Sequence, residues 1–171
     1  MSDGRERLAR EVIELASSEL LATHHYLAPA LGRMKLVPGE LACVFSADGK
    51  TLVFDVNRVL DGFAVMQSPP VHDLLHSVLH CVLLHPFSGD AAETRTWDLA
   101  CDICVELLVT QLLGLRAGKR GIAIVAALSE VETACTGNIS AQRLYRRMQA
   151  GAWVERRADW EELFRSDDHG L

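Results

Sequence analysis

The chain has 171 residues, 49% of them hydrophobic and 23% charged, the balance of a single globular domain with room for its own core. Its net charge of −6 argues against general nucleic-acid binding. The five cysteines are odd in number and lie mostly in apolar helical stretches, which favours reduced thiols in the cytoplasm over a disulfide framework.

Ser2 or Asp3 is expected to cap a first helix that runs to about Ala22, with Leu8, Val12, Leu15 and Leu20 on its apolar stripe. This polar start carries no signal-peptide pattern. Thr23 to Arg33 predicts a second, short helix interrupted near Pro29; His24 and His25 read as surface or local-packing residues. Leu41 to Ser46 and Thr51 to Asp55 are β-rich runs joined by Ala47-Asp48-Gly49-Lys50, and Asp-Gly between two such runs signals a hairpin. Asn57 to Met66 predicts a short helix, and Gln67 to Pro70 a linker.

The next stretch holds four of the seven histidines: His72, His76, His80 and His85. It is bounded by Pro69-Pro70 and Pro86, so it reads as one helix. Ser88-Gly89-Asp90 is a loop, and Thr96 caps a long helix from Trp97 to about Leu113 that Gly114 stops. The apolar run Leu99 to Leu115 is broken by Asp102 and Glu106, which makes it a buried helix and not a membrane span. Gly118 to Gly121 reads as a loop, Ile122 to Thr133 as an apolar helix, and Ser140 caps a helix from Ala141 to Gln149 that Gly151 ends. A last amphipathic helix near Asp159 to Arg165 leads to Asp167-Asp168-His169. The basic residues from Arg116 to Arg157 read as a solvated helix face.

At about 100° per residue, His72, His76 and His80 fall within ~80° of one another on one helix face. Histidines at i and i+4 can present two imidazoles to one ion, the geometric core of the H-E-x-x-H zinc helix. Here the segment reads His76-Ser77-Val78-Leu79-His80, with serine where that motif has its general-base glutamate. The structural alternative is a pair of packed histidines without an ion. His85 lies ~140° around from His80 and points elsewhere unless the helix bends before Pro86. A zinc site with an open position needs a third protein ligand. Asp102 is the best candidate, because it sits mid-helix among Leu99-Ala100-Cys101 and Ile103-Cys104-Val105 and a buried aspartate needs a partner. Asp98 and Glu106, each four residues away, could orient the ligands. Cys81, Cys101 and Cys104 read as core. Asp73, His76 and Ser77 lie too close on one helix to form a nucleophilic triad.

Several of these pieces together resemble a known family. They are the strand pair with Asp48-Gly49, His76-x-x-x-His80 followed by His85-Pro86, Trp97-Asp98-Leu99-Ala100-Cys101-Asp102, Ile139 to Tyr145, and Asp167-Asp168-His169. Over roughly residues 25 to 169 the chain resembles the putative metallopeptidase domain (zincin-like) of bacterial von Willebrand factor A-like predicted metal-dependent peptidases. The resemblance implies an α+β, mostly α, zincin-like fold, with a small hairpin or sheet packed on a helical bundle that includes the two-histidine helix. It implies His76, His80 and Asp102 as ligands to Zn2+. It also implies a von Willebrand A-like domain following in such proteins and a partner ATPase of the MoxR type. Residues 1–171 are then a single domain, either a fragment or a stand-alone version. Ser77 departs from the family's glutamate.

These readings lead to a zinc-binding domain whose peptidase activity is lost or altered. One alternative is a hydrolase that uses Asp73 or Glu106 as a substitute base. The other is a metal-free interaction module that works with a MoxR-type ATPase or a von Willebrand A-like partner. No nucleic acid and no membrane are expected. His72, His85, Glu106 and His169 are left open as further members of the site.

Overall fold

The computed structural model describes residues 2–87, 94–114, 118–135 and 137–165. They form two compact units, one within Met1–Phe87 and one within Ser88–Arg165. The architecture is α+β and mostly helical, with one small sheet. Among the described residues no helix is long and apolar enough to cross a membrane.

The first unit opens with helix α1 (Ser2–Thr23), whose Ala9, Ile13, Ala16 and Leu20 are fully buried. A 3₁₀ turn (His25–Leu27) leads into α2 (Ala28–Leu31). Pro29 lies in the first turn of α2, where proline lacks no needed hydrogen bond, so it starts that helix instead of interrupting one.

Three strands follow: β1 (Lys35–Pro38), β2 (Phe45–Ala47) and β3 (Thr51–Phe54). The sheet order is β1-β3-β2, with β1 parallel and β2 antiparallel to β3. The expected hairpin is therefore present, but its first strand is shorter than Leu41 to Ser46. The Leu41 amide turns to the Asp55 carboxylate at 3.3 Å, and the Val44 carbonyl accepts from the Asp55 amide at 3.1 Å. The sequence reading missed β1. It is a half-exposed edge strand ending in Pro38, so its pattern is weak and its partner lies beyond the hairpin.

Asp48 builds the hairpin turn. Its Oδ1 accepts hydrogen bonds from the amides of Thr51 at 2.6 Å and Lys50 at 2.8 Å, while Gly49 takes the left-handed φ of 88°. The Thr51 amide, then that of Lys50, holds the Asp48 carboxyl below its usual value of 3.8. A carboxyl depressed in the folded state stabilises the fold above its unfolded pKa and loses that contribution as pH falls through the folded one. Wild-type thermal stability is therefore expected to fall more steeply than that of Asp48→Asn as pH drops below about 4, as read by melting curves. Equal slopes would show that the turn contributes nothing to acid sensitivity.

Asp55 caps α3 (Val56–Met66), accepting from the amides of Asn57 and Arg58 at 2.9 and 3.0 Å. Helix α4 (Val71–Val82) then runs through the unit's core, against β2, α1 and α2. Its Leu74, Leu75 and Val78 join Ile13, Leu20, Phe45, Leu52 and Phe54 among the fully or almost fully buried side chains.

The second unit is helical. Helix α5 (Thr94–Leu113) starts three residues before the expected one, so Thr96 is a buried residue of its first turn and not its cap. Gly114, at φ 84°, ends it as expected. Helix α6 (Gly118–Ala134) includes Gly118 to Gly121, which the sequence reading took as a loop. Helix α7 (Ala141–Gln149) is capped by Ser140, whose side chain accepts from the Arg143 amide at 3.4 Å, and Gly151 at φ 93° follows it. Helix α8 (Arg157–Phe164) closes the unit. Helix α5 packs on α7 and α8, and α6 on α8. The core comprises Leu99, Ile103, Val109, Leu144, Met148, Trp160 and Phe164.

The basic residues of this unit are not merely a solvated face. The Arg120 guanidinium donates to the carbonyls of Leu163 and Arg165 at 3.0 and 2.8 Å, satisfying groups at the end of α8 that a helix leaves open. Arg157 donates to the Met148 carbonyl, and Arg147 lies over the Trp153 ring at 5.7 Å. The readings placed on Ser88-Gly89-Asp90 and Asp167-Asp168-His169 fall outside the described residues.

Candidate metal centre

The first unit supplies a histidine cluster on and beside α4. Residues four apart on a helix share a face. On α4 that brings His76 and His80 onto the buried side, at 0% and 2% exposure. Their Nε2 atoms are 3.1 Å apart. With metal–nitrogen arms of about 2.0–2.1 Å, two ligands of a tetrahedral site stand roughly 3.3 Å apart, so this spacing fits an ion with little adjustment. Only one proton can lie between the two nitrogens, so at least one of them presents a lone pair.

His85 joins the cluster from behind. Its Nδ1 lies 3.3 Å from the Nδ1 of His80, the ring nitrogen that does not face His76. The two rings are nearly perpendicular, at 75°. A continued helix would have carried His85 away. Instead α4 stops at Val82, Leu84 takes a left-handed φ of 61°, and a 3₁₀ turn (His85–Phe87) returns the imidazole to His80. The signal in the sequence is Pro86, which cannot continue a helix interior. For a leucine the left-handed conformation costs about 1–2 kcal/mol, which the buried His85 contact and the turn must offset.

The remaining α4 residues have other surroundings. His72 is half-buried, with Nδ1 3.6 Å from the Asp73 carboxylate. Ser77 is fully buried, and its Oγ has no hydrogen-bond partner among the described residues. An unpaired buried hydroxyl costs about 1–3 kcal/mol.

In the second unit the acidic stripe of α5 is largely withdrawn from water. Asp98 is half-buried, Asp102 is 5% exposed and Glu106 is 1% exposed. Two carboxylates one turn apart in an apolar helix are far from the usual state of acidic residues, and such groups pair or bind cations. Cys81, Cys101 and Cys104 are buried. Burial pushes the Cys104 thiol above its usual range, outweighing the backbone hydrogen bond of Ala141. Cys104 is therefore a neutral thiol at neutral pH and packs as a small apolar group. Of the sequence-predicted donors, then, His76 and His80 converge within the first unit, Asp102 is a buried carboxylate of the second, and His169 lies outside the described residues.

Residues 10–168 match the family model described as "Putative metallopeptidase domain", which takes in all of α4 and α5. No curated protein and no solved structure matches the chain significantly. The buried donors and this nearly full-length match lead to one assignment: the chain belongs to the "Putative metallopeptidase domain" family.

Proposed function

We propose that this chain is a zinc-binding, zincin-like domain that has lost peptide hydrolysis. His76, His80 and Asp102 hold the ion. The observation that carries the reading is the 3.1 Å approach of the two histidine Nε2 atoms in a solvent-free setting. Two buried imidazoles and a buried carboxylate give the mixed nitrogen and oxygen set that zinc favours, with a fourth position open. An ion in such a site supplies Lewis acidity.

Hydrolysis needs more than the ion, because a base must take a proton from the attacking water. A positioned base contributes about 10²–10⁴ in rate. In the two-histidine helix that base is the residue after the first histidine, here Ser77. A serine hydroxyl is not basic at neutral pH, and it lacks the reach of a glutamate. The ion's work is then structural, its binding free energy adding to folding free energy. A cytoplasmic setting and a von Willebrand A-like or MoxR-type ATPase partner belong to the same proposal, carried by the family resemblance alone.

Purified zinc-loaded wild type is expected to cleave no member of a generic peptide library above background. Zinc-dependent cleavage that survives stringent repurification and disappears in His80→Ala would show that another carboxylate, Asp73 or Glu106, has taken the base's place.

A further inference from the structure

We infer that the histidine centre is sealed at rest, so that an ion or a reagent reaches it only when the first unit transiently opens. For the ion this rests on the metal-binding reading given above; for the imidazoles it stands on burial alone.

Helix α4 is covered on every side over its middle. All eight residues from Leu74 to Cys81 are buried. Eight residues make more than two helical turns, so no face of that stretch is left open. A helix that borders a water-filled cleft keeps a polar, exposed stripe, and one in the interior does not. Within its own unit α4 packs on α1, α2, β2 and the 3₁₀ turn His85–Phe87. At the donors the cover is nearly complete. His76 and Ser77 are 0% exposed and His80 is 2% exposed, which leaves the first imidazole and the base position no surface for solvent to touch. Exposure returns past the donors, at Val82 with 48% and Leu84 with 60%.

Structural metal sites are closed, whereas catalytic ones keep a position that solvent and substrate can reach. A helix core enclosed on all faces belongs to the first kind. Two separate obstacles then stand against hydrolysis: the base is missing at Ser77, and a peptide cannot approach the centre. Access requires local opening, whose free energy lies between zero and that of global unfolding and is lowered by mild denaturant.

Two probes test the seal on the full chain. Diethylpyrocarbonate with peptide mapping reads each imidazole in the chelated protein, after circular dichroism establishes that it is folded. The exposed His25 is the internal reference. His76 and His80 are expected to react about tenfold or more slowly than His25, and faster as urea is raised below the unfolding midpoint. Reaction of either at the His25 rate would overturn the inference. The second probe is acetohydroxamate, a small bidentate metal ligand, added to cobalt-loaded protein. The visible spectrum is expected to hold through mixing, then to change at a rate set by urea and not by hydroxamate concentration. An immediate shift that scales with hydroxamate would overturn the inference and leave the metal site standing. A protein that takes up neither cobalt nor zinc would sink the metal-binding reading, and the diethylpyrocarbonate rates then decide the seal alone. If the chelated chain is unfolded, the cobalt spectra decide it. Zinc-loaded Ser77→Glu, which puts the motif's base back, is expected to cleave no peptide, because substrate stays outside; cleavage by that variant would overturn the seal.

Discussion

Purified wild-type protein is expected to contain about one zinc ion per chain, by the logic of three protein ligands and an open position, and the His76→Ala, His80→Ala variant to contain none above background. Both imidazoles are removed from solvent, and their Nε2 atoms already stand at the spacing of two ligands. Without them the only proposed donor left is Asp102, and a single carboxylate does not hold zinc against competing chelators. Elemental analysis after gel filtration reads the outcome, with circular dichroism to establish that the variant is folded. Asp102→Asn tests the third ligand separately: it keeps shape and burial but removes the charge, and zinc content is expected to fall well below one. Equal zinc in wild type and the double variant would sink the site, and equal zinc in wild type and Asp102→Asn would remove Asp102 from it.

Removing the ion is expected to destabilise the protein and not merely to silence it. The proposed ligands lie far apart in the sequence, on α4 and α5, so the unfolded chain does not present them together. A ligand bound to the native state alone stabilises it by RT ln(1 + [L]/Kd), about 4 kcal/mol at a thousandfold excess over Kd. For a chain of this size each kcal/mol moves the midpoint by roughly 2–4 °C. Chelation should therefore lower Tm by about 8–16 °C at that zinc excess. The loss comes from the ion's binding free energy, which counts toward folding when only the native state presents the ligands. Differential scanning calorimetry before and after chelation measures it, with zinc loss verified in the same sample. An unchanged midpoint would mean that the helices hold their places without the ion.

Much of the molecule was legible because local chemistry decided it. Asp48-Gly49 specifies a turn whatever surrounds it, since only that side chain and that φ close the loop. Ser140 and Gly151 bracket α7, and Gly114 ends α5, through hydrogen bonds and dihedrals that involve only near neighbours. The i, i+4 spacing of His76 and His80 was enough to place both on one face, because helix geometry is periodic. The burial of Asp102 was likewise expected from the apolar residues on either side of it.

What the sequence left open depends on contacts between distant residues. Strand β1 is weakly patterned and exists by pairing with β3 across the intervening hairpin. The first turn of α6 looked like a loop because Gly118 and Gly121 are poor helix formers; there Arg120 reaches the carbonyls at the end of α8. His85 is the clearest case. Sequence alone put it on the wrong side of a helix, with a bend before Pro86 as the escape. The escape is real: tertiary packing rewards a left-handed Leu84 with a buried imidazole contact, at an energetic cost that local propensity counts only as a penalty. By itself, then, the sequence determined which residues are candidate donors and which helices carry them, because the spacing and burial of side chains follow from periodicity. Only the tertiary structure decided that a third histidine stands behind His80, because that distance depends on where the chain turns after α4 ends.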